Sequence, residues 1–426
     1  MRGLLATHLR VTQTGAQGAA PPPPVAPPRI ASQRYMVPGD TTALSGFSVV
    51  EGRFTMRAPK GGLTSPRLVL GHILVQNPSH PNGEILPGNT VVWQAALEHG
   101  GLTTRFLFAG QTSLTLAPND NDRVSDALSL NVPAGQDYFV RFRVNMTAGT
   151  VFNRRQPVNG ATGAQFVAHN AGTTNQVLAT GVLTVPSGGS GSATSGFGPL
   201  GIIGEGSHAG VAIIGDSIAE GTNFDTVESA TGAIGFVAKG LSLVNGHRIP
   251  WLNLARGGER ADTFVTNGAR RLLLTRHGSD VICNHGTNDI DQGRSLAALQ
   301  ADYLTTIGAV KAQGSRFHAV LLFPRVASGG TYTTLAGQTP RPGFTSGSMR
   351  DQFNAWLAGL ASAGTIDSVI DCISPGALPG LADAGDPSRW AIDAGALTTD
   401  GTHPNNTGAS RAAARLRAWA ENRGLA

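Results

Sequence analysis

Val211-Ala-Ile-Ile-Gly-Asp-Ser-Ile-Ala-Glu-Gly221 is an apolar run that stops abruptly at Gly215-Asp216-Ser217 and continues in small residues. A parallel strand that ends in this way delivers a serine hydroxyl to the carboxyl edge of a sheet, where open α/β folds hold their ligands. Alone the signal is weak. It gains force from three stretches that follow in order: Asn253-Leu-Ala-Arg-Gly-Gly258, Gly286-Thr-Asn-Asp289 and Asp400-Gly-Thr-His403-Pro404.

Around that strand the chain alternates strand and helix. Strands are expected at Val211 to Ile214, Trp251 to Leu254, Val281 to Asn284, Ala319 to Phe323 and Ser368 to Ile370. Helices are expected at Gly232 to Leu243, Ala261 to His277, Ser295 to Gln313, Ser348 to Ala363 and Gly408 to Asn422. Repeated βα units imply a three-layer, doubly wound parallel sheet with helices on both faces. Residues 326–345 break the rhythm with Gly, Thr and Pro, which suits a lid, a pocket wall or a passive surface excursion.

Upstream the pattern changes. Strand follows strand from Phe47 to about Val185, and Tyr138-Phe-Val-Arg-Phe-Arg-Val144 alternates with period two. Turn signals at Pro81-Asn-Gly83, Pro118 to Asp122 and Pro133-Ala-Gly135 separate the runs. An all-β, jelly-roll-like sandwich is expected. The chain thus divides into a Pro-rich arm (1–33), a β-sandwich domain (34–186), a Gly/Ser-rich linker (187–204) and an α/β domain (205–426). The arm contains four successive prolines and favours polyproline II. It suits a spacer or a strap onto a second copy or a larger assembly, and the sequence does not choose between them.

Composition narrows the function classes. With 426 residues and 40% hydrophobic content the chain can bury more than one core. Its formal charge of +5 comes from scattered arginines; the only lysines are Lys60, Lys239 and Lys311. Without a basic run, nucleic-acid binding is not expected. No apolar run is long enough for a transmembrane helix, and the apolar patch Gly3–Thr7 is too short for a secretory signal. A secreted, virion-associated or cytoplasmic location all stay open. Cys283 and Cys372 sit in apolar runs and are expected as buried free thiols, with no metal-ligand spacing.

The chemistry this pattern points to is nucleophilic acyl transfer. Ser217 needs an adjacent base to attack at neutral pH. His403 supplies one, and Asp400, three residues earlier, can orient its imidazole. A developing oxyanion needs donors already in place: the N–H of Ser217, the N–H of Gly258 and the amide of Asn288. One such donor contributes about 3 to 4 kcal/mol of transition-state stabilisation. Asp216, His285, Arg256 and Arg260 flank these positions and are candidates to line the pocket. Each also has a structural alternative as a loop tie, a core histidine or a solvated or paired arginine. No metal or organic cofactor is required.

The order Ser, Gly, Asn, His on an α/β domain resembles the SGNH hydrolases, a branch of the GDSL esterases and lipases, over residues 205–426. Ala255 stands where that family commonly has Gly. A looser likeness covers Phe108 to Leu116 and Ser125 to Asp137, which look like the β-domain of two-domain SGNH esterases related to acetyl xylan esterases. The resemblance implies a serine esterase that removes small acyl groups, foremost O-acetyl, from a sugar or polysaccharide. The alternatives are a lipase, thioesterase or aryl esterase of the same fold, or a phage or cell-surface glycan-binding attachment protein with secondary deacetylase activity.

Overall fold

The structure, a computed structural model, describes residues 27–35, 41–43, 47–72, 74–75, 84–85, 89–118, 120–147, 151–153, 156–157, 165–170, 174–192, 195–196, 198–206, 209–221, 233–242, 244–328 and 331–425. The apolar patch Gly3–Thr7, the four successive prolines and the Pro81–Gly83 turn lie outside these residues.

Strand Val211–Ile214 lies inside a six-stranded, all-parallel sheet. The order is Gln33–Tyr35, Trp251–Asn253, Val211–Ile214, Asp280–Cys283, Arg316–Val320, Ser368–Ile370. Its side chains alternate between two cores. Val211 and Ile213 pack with Phe236, Leu241 and Leu416. Ala212 and Ile214 pack with Phe264, Tyr303 and Leu357. An uninterrupted apolar strand does this when both faces of its sheet are covered. Helices Gly235–Leu241 and Asn406–Asn422 cover one face; Ala261–Asn267, Leu296–Ala312 and Met349–Ser362 cover the other. The helix expected over 261–277 is broken into Ala261–Asn267, Ala269–Leu274 and a 3-10 turn, Thr275–His277. Gly268 makes the break. Its N–H closes the first helix on the Phe264 carbonyl at 2.8 Å, and a Cβ there would meet the same oxygen at 2.5 Å.

Besides three two-stranded sheets, Val151–Asn153 with Thr41–Ala43, Gln156–Pro157 with Ser195–Gly196 and Leu74–Val75 with Glu84–Ile85, the described residues of the β-rich half form two larger antiparallel sheets. One runs Arg29–Ile30, Gly201–Glu205, Leu63–Leu70, Arg123–Val124, with Asn131–Val132 also paired to Leu63–Leu70. The other runs Leu114–Leu116, Val91–His99, Asp137–Asn145, Val49–Arg57, Gln165–His169, Ser190–Ser192, with Leu102–Arg105 on Val91–His99. Leu68, Leu70 and Ile202 from the first share a core with Phe54, Trp93, Tyr138 and Phe142 from the second.

Three expected boundaries are corrected. Residues 187–204 are not a free linker, because Ser190–Ser192 and Gly201–Glu205 are strands of the two sheets. Residues 29–33 do not belong to an extended arm, because Arg29–Ile30 pairs with Gly201–Glu205. Gln33–Tyr35, which straddles the expected boundary between arm and sandwich, is the edge strand of the parallel sheet beside Trp251–Asn253. The two halves are also joined by packing. Ile30, Val69, Leu200 and Ile203 share a core with Ala212, Leu252 and Leu274. Beside that contact the Asp122 carboxylate pairs with His277 at 2.6 Å and with Arg276.

Two buried carboxylates give the fold a defined pH response. Burial alone would raise both. For Glu98 the Arg53 and Arg141 guanidinium groups and the Gly181 N–H outweigh burial and hold the group at about 2. For Asp280, His318, Arg316 and Ser279 do the same, again to about 2. A carboxyl depressed in the folded state stabilises the fold above its ordinary range and loses that contribution as pH falls toward its folded value. Through these two groups the urea midpoint should therefore fall as pH drops from about 4 to about 2. A midpoint unchanged between pH 5 and pH 2.5 would contradict this account.

Candidate active site

Strand Val211–Ile214 ends in a glycine that nothing else could replace. Gly215 has φ +152°, and a Cβ there would lie 2.1 Å from the Asn284 Oδ1. That oxygen accepts the Asp216 N–H at 3.2 Å, which ties the end of this strand to the end of its neighbour. Asp216 then caps the one-turn helix Ser217–Glu220 by accepting the Ile218 N–H at 2.9 Å. Ser217 is the first residue of that helix. Its position lies beside the point where the strand order reverses, the crevice where open α/β sheets bind ligands.

The loop after strand Ser368–Ile370 brings His403 to the same place. Ser217 Oγ lies 2.6 Å from His403 Nε2, and His403 Nδ1 lies 2.7 Å from Asp400 Oδ2. Asp400 Oδ1 also accepts the N–H groups of Thr402 and His403, at 2.9 and 2.8 Å. Burial works against the ionised carboxylate, but these bonds and the imidazole outweigh it and hold Asp400 at about 2. The loop closes onto the last helix, whose cap Asn405 accepts the Gly408 N–H at 3.0 Å. Ser217, His403, Ile218, Gly221, Gly235, Phe236, Pro404 and Ala409 line an open depression.

The loops after the next two strands carry Gly258 and Asn288. Gly258 turns with φ +75°, and among the described residues its N–H has no hydrogen-bond partner. Asn288 lies in the helix Thr287–Asp291 and donates from Nδ2 to the Glu259 carbonyl at 3.1 Å. That bond fixes the two loops to each other and leaves the second amide hydrogen of Asn288 to point elsewhere. Asp289, buried beside it, accepts the Ala261 N–H, and burial pushes its carboxyl up to about 6.

The four candidate pocket residues are placed differently from that expectation. Asp216 is fully buried, its Oδ1 is held by Ile218 and Asn284, and burial raises its carboxyl above the ordinary range. His285 is buried against Glu259 Oε2 at 3.2 Å and Cys283 Sγ at 3.6 Å. Burial would lower its basicity, but those partners raise it to about 10. Arg256 is buried in a pair with Glu220 at 3.2 Å. Arg260 is bound at both ends of its fork by Asp262. Their proximity to the motifs along the chain says nothing about where their side chains point, and each has found a protein partner instead.

The sequence reading missed what steadies the His403 loop. The segment 326–345 is not a free excursion: Val326–Ser328 and Gln338–Pro340 form a hairpin, and the Val326 N–H donates to the Gly401 carbonyl at 3.0 Å. Trp390 Nε1 donates to the same carbonyl at 3.1 Å, and Gln338 in turn bonds both the N–H and the carbonyl of Trp390. Gly in Asp400-Gly-Thr-His403 was the available signal, since glycine suits a turn of positive φ or a close approach of backbone.

An α/β domain in which a serine, a histidine and an aspartate form a hydrogen-bonded chain at the sheet's carboxyl edge is thus the class defined by fold and site. Residues 213–411 match the model of the GDSL-like Lipase/Acylhydrolase family. A search of curated proteins returned no match. Among solved structures, a GDSL-like lipase from Bacteroides thetaiotaomicron is similar at 16% identity, covering 51% of this chain and 89% of its own, with a TM-score of 0.34. A protein from Bacillus subtilis is similar at 15% identity, covering 87% of this chain and 81% of its own, with a TM-score of 0.35. No helix among the described residues is long and apolar enough to cross a membrane. Both cysteines are buried free thiols.

Gly401 has φ +81°, and a Cβ there would fall 2.0 Å from the Val326 carbonyl oxygen. Gly401→Ala should lower stability by at least about 1 kcal/mol and loosen the His403 loop. Thermal unfolding checks this; a variant as stable as the parent would show that the loop tolerates a side chain.

Proposed function

We propose that this protein is a serine esterase that removes small acyl groups, foremost O-acetyl, from a carbohydrate. The observation that carries the reading is the 2.6 Å contact between Ser217 Oγ and His403 Nε2, with Asp400 on the far ring nitrogen. His403 takes the hydroxyl proton as Oγ attacks the ester carbonyl. The carbonyl oxygen becomes an oxyanion, held by the N–H groups of Ser217 and Gly258 and by Asn288 Nδ2. On collapse His403 returns the proton to the leaving alcohol, and the acyl group stays on Ser217. Water, deprotonated by His403, then attacks the acyl-enzyme; the acid leaves, and the proton returns to Oγ. Asp400 stays ionised throughout and stabilises the imidazolium.

The described lining of the depression supports a small acyl group. Its described apolar wall is short: Ile218, Phe236, Pro404 and Ala409. The likeness of the β-rich half to the β-domain of acetyl xylan esterase relatives supports a carbohydrate as the alcohol.

Ser217→Ala should reduce hydrolysis of p-nitrophenyl acetate by more than about a thousandfold while leaving thermal unfolding unchanged. Retention of most activity would refute the nucleophile. Rates on acetyl, butyryl and octanoyl esters should fall in that order, and a preference for octanoyl would overturn the small-acyl reading. Acetate release from acetylated xylan, pectin, chitin fragments or bacterial capsule would identify the sugar.

A further inference from the structure

Besides Asp122, a second carboxylate of the β-rich half reaches into the other half. Glu84, on the short strand Glu84–Ile85, has a side chain only 1% exposed. Its carboxylate accepts the N–H of Arg270 and the N–H of Arg271, both at 2.9 Å, and Arg271 Nε at 3.1 Å. Arg271 is equally buried and turns the rest of its fork onto Glu259, with Nη1 2.8 Å from Oε2 and Nη2 on Oε1. Its Nη1 also reaches the Leu254 carbonyl at 3.2 Å. Glu259 follows Gly258 in the chain. Its N–H closes the turn on the Arg256 carbonyl at 3.1 Å, and its own carbonyl accepts Asn288 Nδ2. The buried chain Glu84, Arg271, Glu259 therefore ends on the two residues that, besides Ser217, supply oxyanion donors in the proposed reaction.

The arrangement is balanced as well as buried. Arg271 stands between two carboxylates, and His285 shares Glu259 with it. A bidentate guanidinium–carboxylate pair fixes direction as well as distance. Removing one charge from such a buried group leaves the others unpaired, and the pair then moves to find water or a new partner.

We propose that Glu84 is a positioning residue for the oxyanion loop, acting through Arg271 and Glu259, so that the β-rich half sets the geometry of the other half's reaction centre. This inference rests on the esterase reading above. It predicts a defect confined to the transition state, because the donors grip the oxyanion and not the ground-state ester.

The test is Glu84→Gln in the full chain, with Glu84→Asp as the milder variant that keeps the charge but withdraws it by one methylene. Active sites are first counted by stoichiometric labelling of Ser217 with a fluorophosphonate. For p-nitrophenyl acetate, kcat per labelled site should fall about 10- to 100-fold, as a displaced reacting geometry does, with KM changed less than about twofold. An alkylboronic acid, which mimics the tetrahedral intermediate, should weaken in parallel with kcat. A purely structural role would instead lower the number of labelled sites and leave kcat per site as in the parent, which would overturn the proposal. Hydrogen–deuterium exchange well below the unfolding temperature supplies a readout independent of catalysis. Peptides covering 254–260 and 285–291 should exchange faster in either variant, while those covering 400–404 stay unchanged. Unaltered exchange in 254–260 would overturn the proposal even if the parent hydrolyses no ester, whereas a parent that neither labels nor turns over would refute the esterase reading alone.

Discussion

The geometry of the site depends on one carboxylate that organises its own loop. Asp400 uses one oxygen to gather the N–H groups of Thr402 and His403 and the other to hold the His403 ring. The same charge that orients the imidazole thus also folds the turn that carries it. Partial burial would favour the neutral acid, and an acid could not accept all three bonds. The bonds outweigh the burial, which is why the group stays ionised far into the acid range. Gly401 makes the tight turn accessible, and its carbonyl is gripped from behind by Val326 and Trp390.

The rest of the scaffold brings Ser217 to meet that loop. A strand whose side chains alternate between two cores has no freedom to slide, because a one-residue shift would exchange the sides. Gly215 and Asn284 then lock the end of this strand to its neighbour, and Asp216 turns the chain into a helix. Each step uses a short polar side chain to satisfy backbone groups that the end of the sheet would otherwise leave bare.

Much of this was legible in the sequence. The apolar run before Gly215 and the helix–strand rhythm after it marked the parallel sheet, and the spacing of Ser217, Asp400 and His403 foretold side chains that the fold brings together. The direction of a side chain was not legible. Asp216, His285 and Arg256 adjoin the motifs yet turn inward to buried partners. Composition misled at residues 187–204, where Gly reads as free coil. At Gly204 the glycine instead sits in a strand and packs closely, since a Cβ would lie 2.2 Å from Leu63 Cδ1 and 3.2 Å from the Thr64 carbonyl oxygen. Glu84, Arg271 and Glu259 were out of reach for a different reason. Single charged residues carry no periodic signal, and the first two meet across most of the intervening β-rich half.

The edge strand Gln33–Tyr35 has a consequence for how the molecule is made. It pairs in parallel with Trp251–Asn253, so the β-rich half is threaded between two adjacent strands of one sheet. On a ribosome this early segment has no partner until residues 251–253 have emerged. The antiparallel sheets cannot finish either until Gly201–Glu205 arrives to lie between Arg29–Ile30 and Leu63–Leu70. Neither half can therefore close its sheets as its first strands emerge, and until the partner strands arrive the nascent chain carries unsatisfied strand edges, the stage at which long-range β topologies are most prone to mispair.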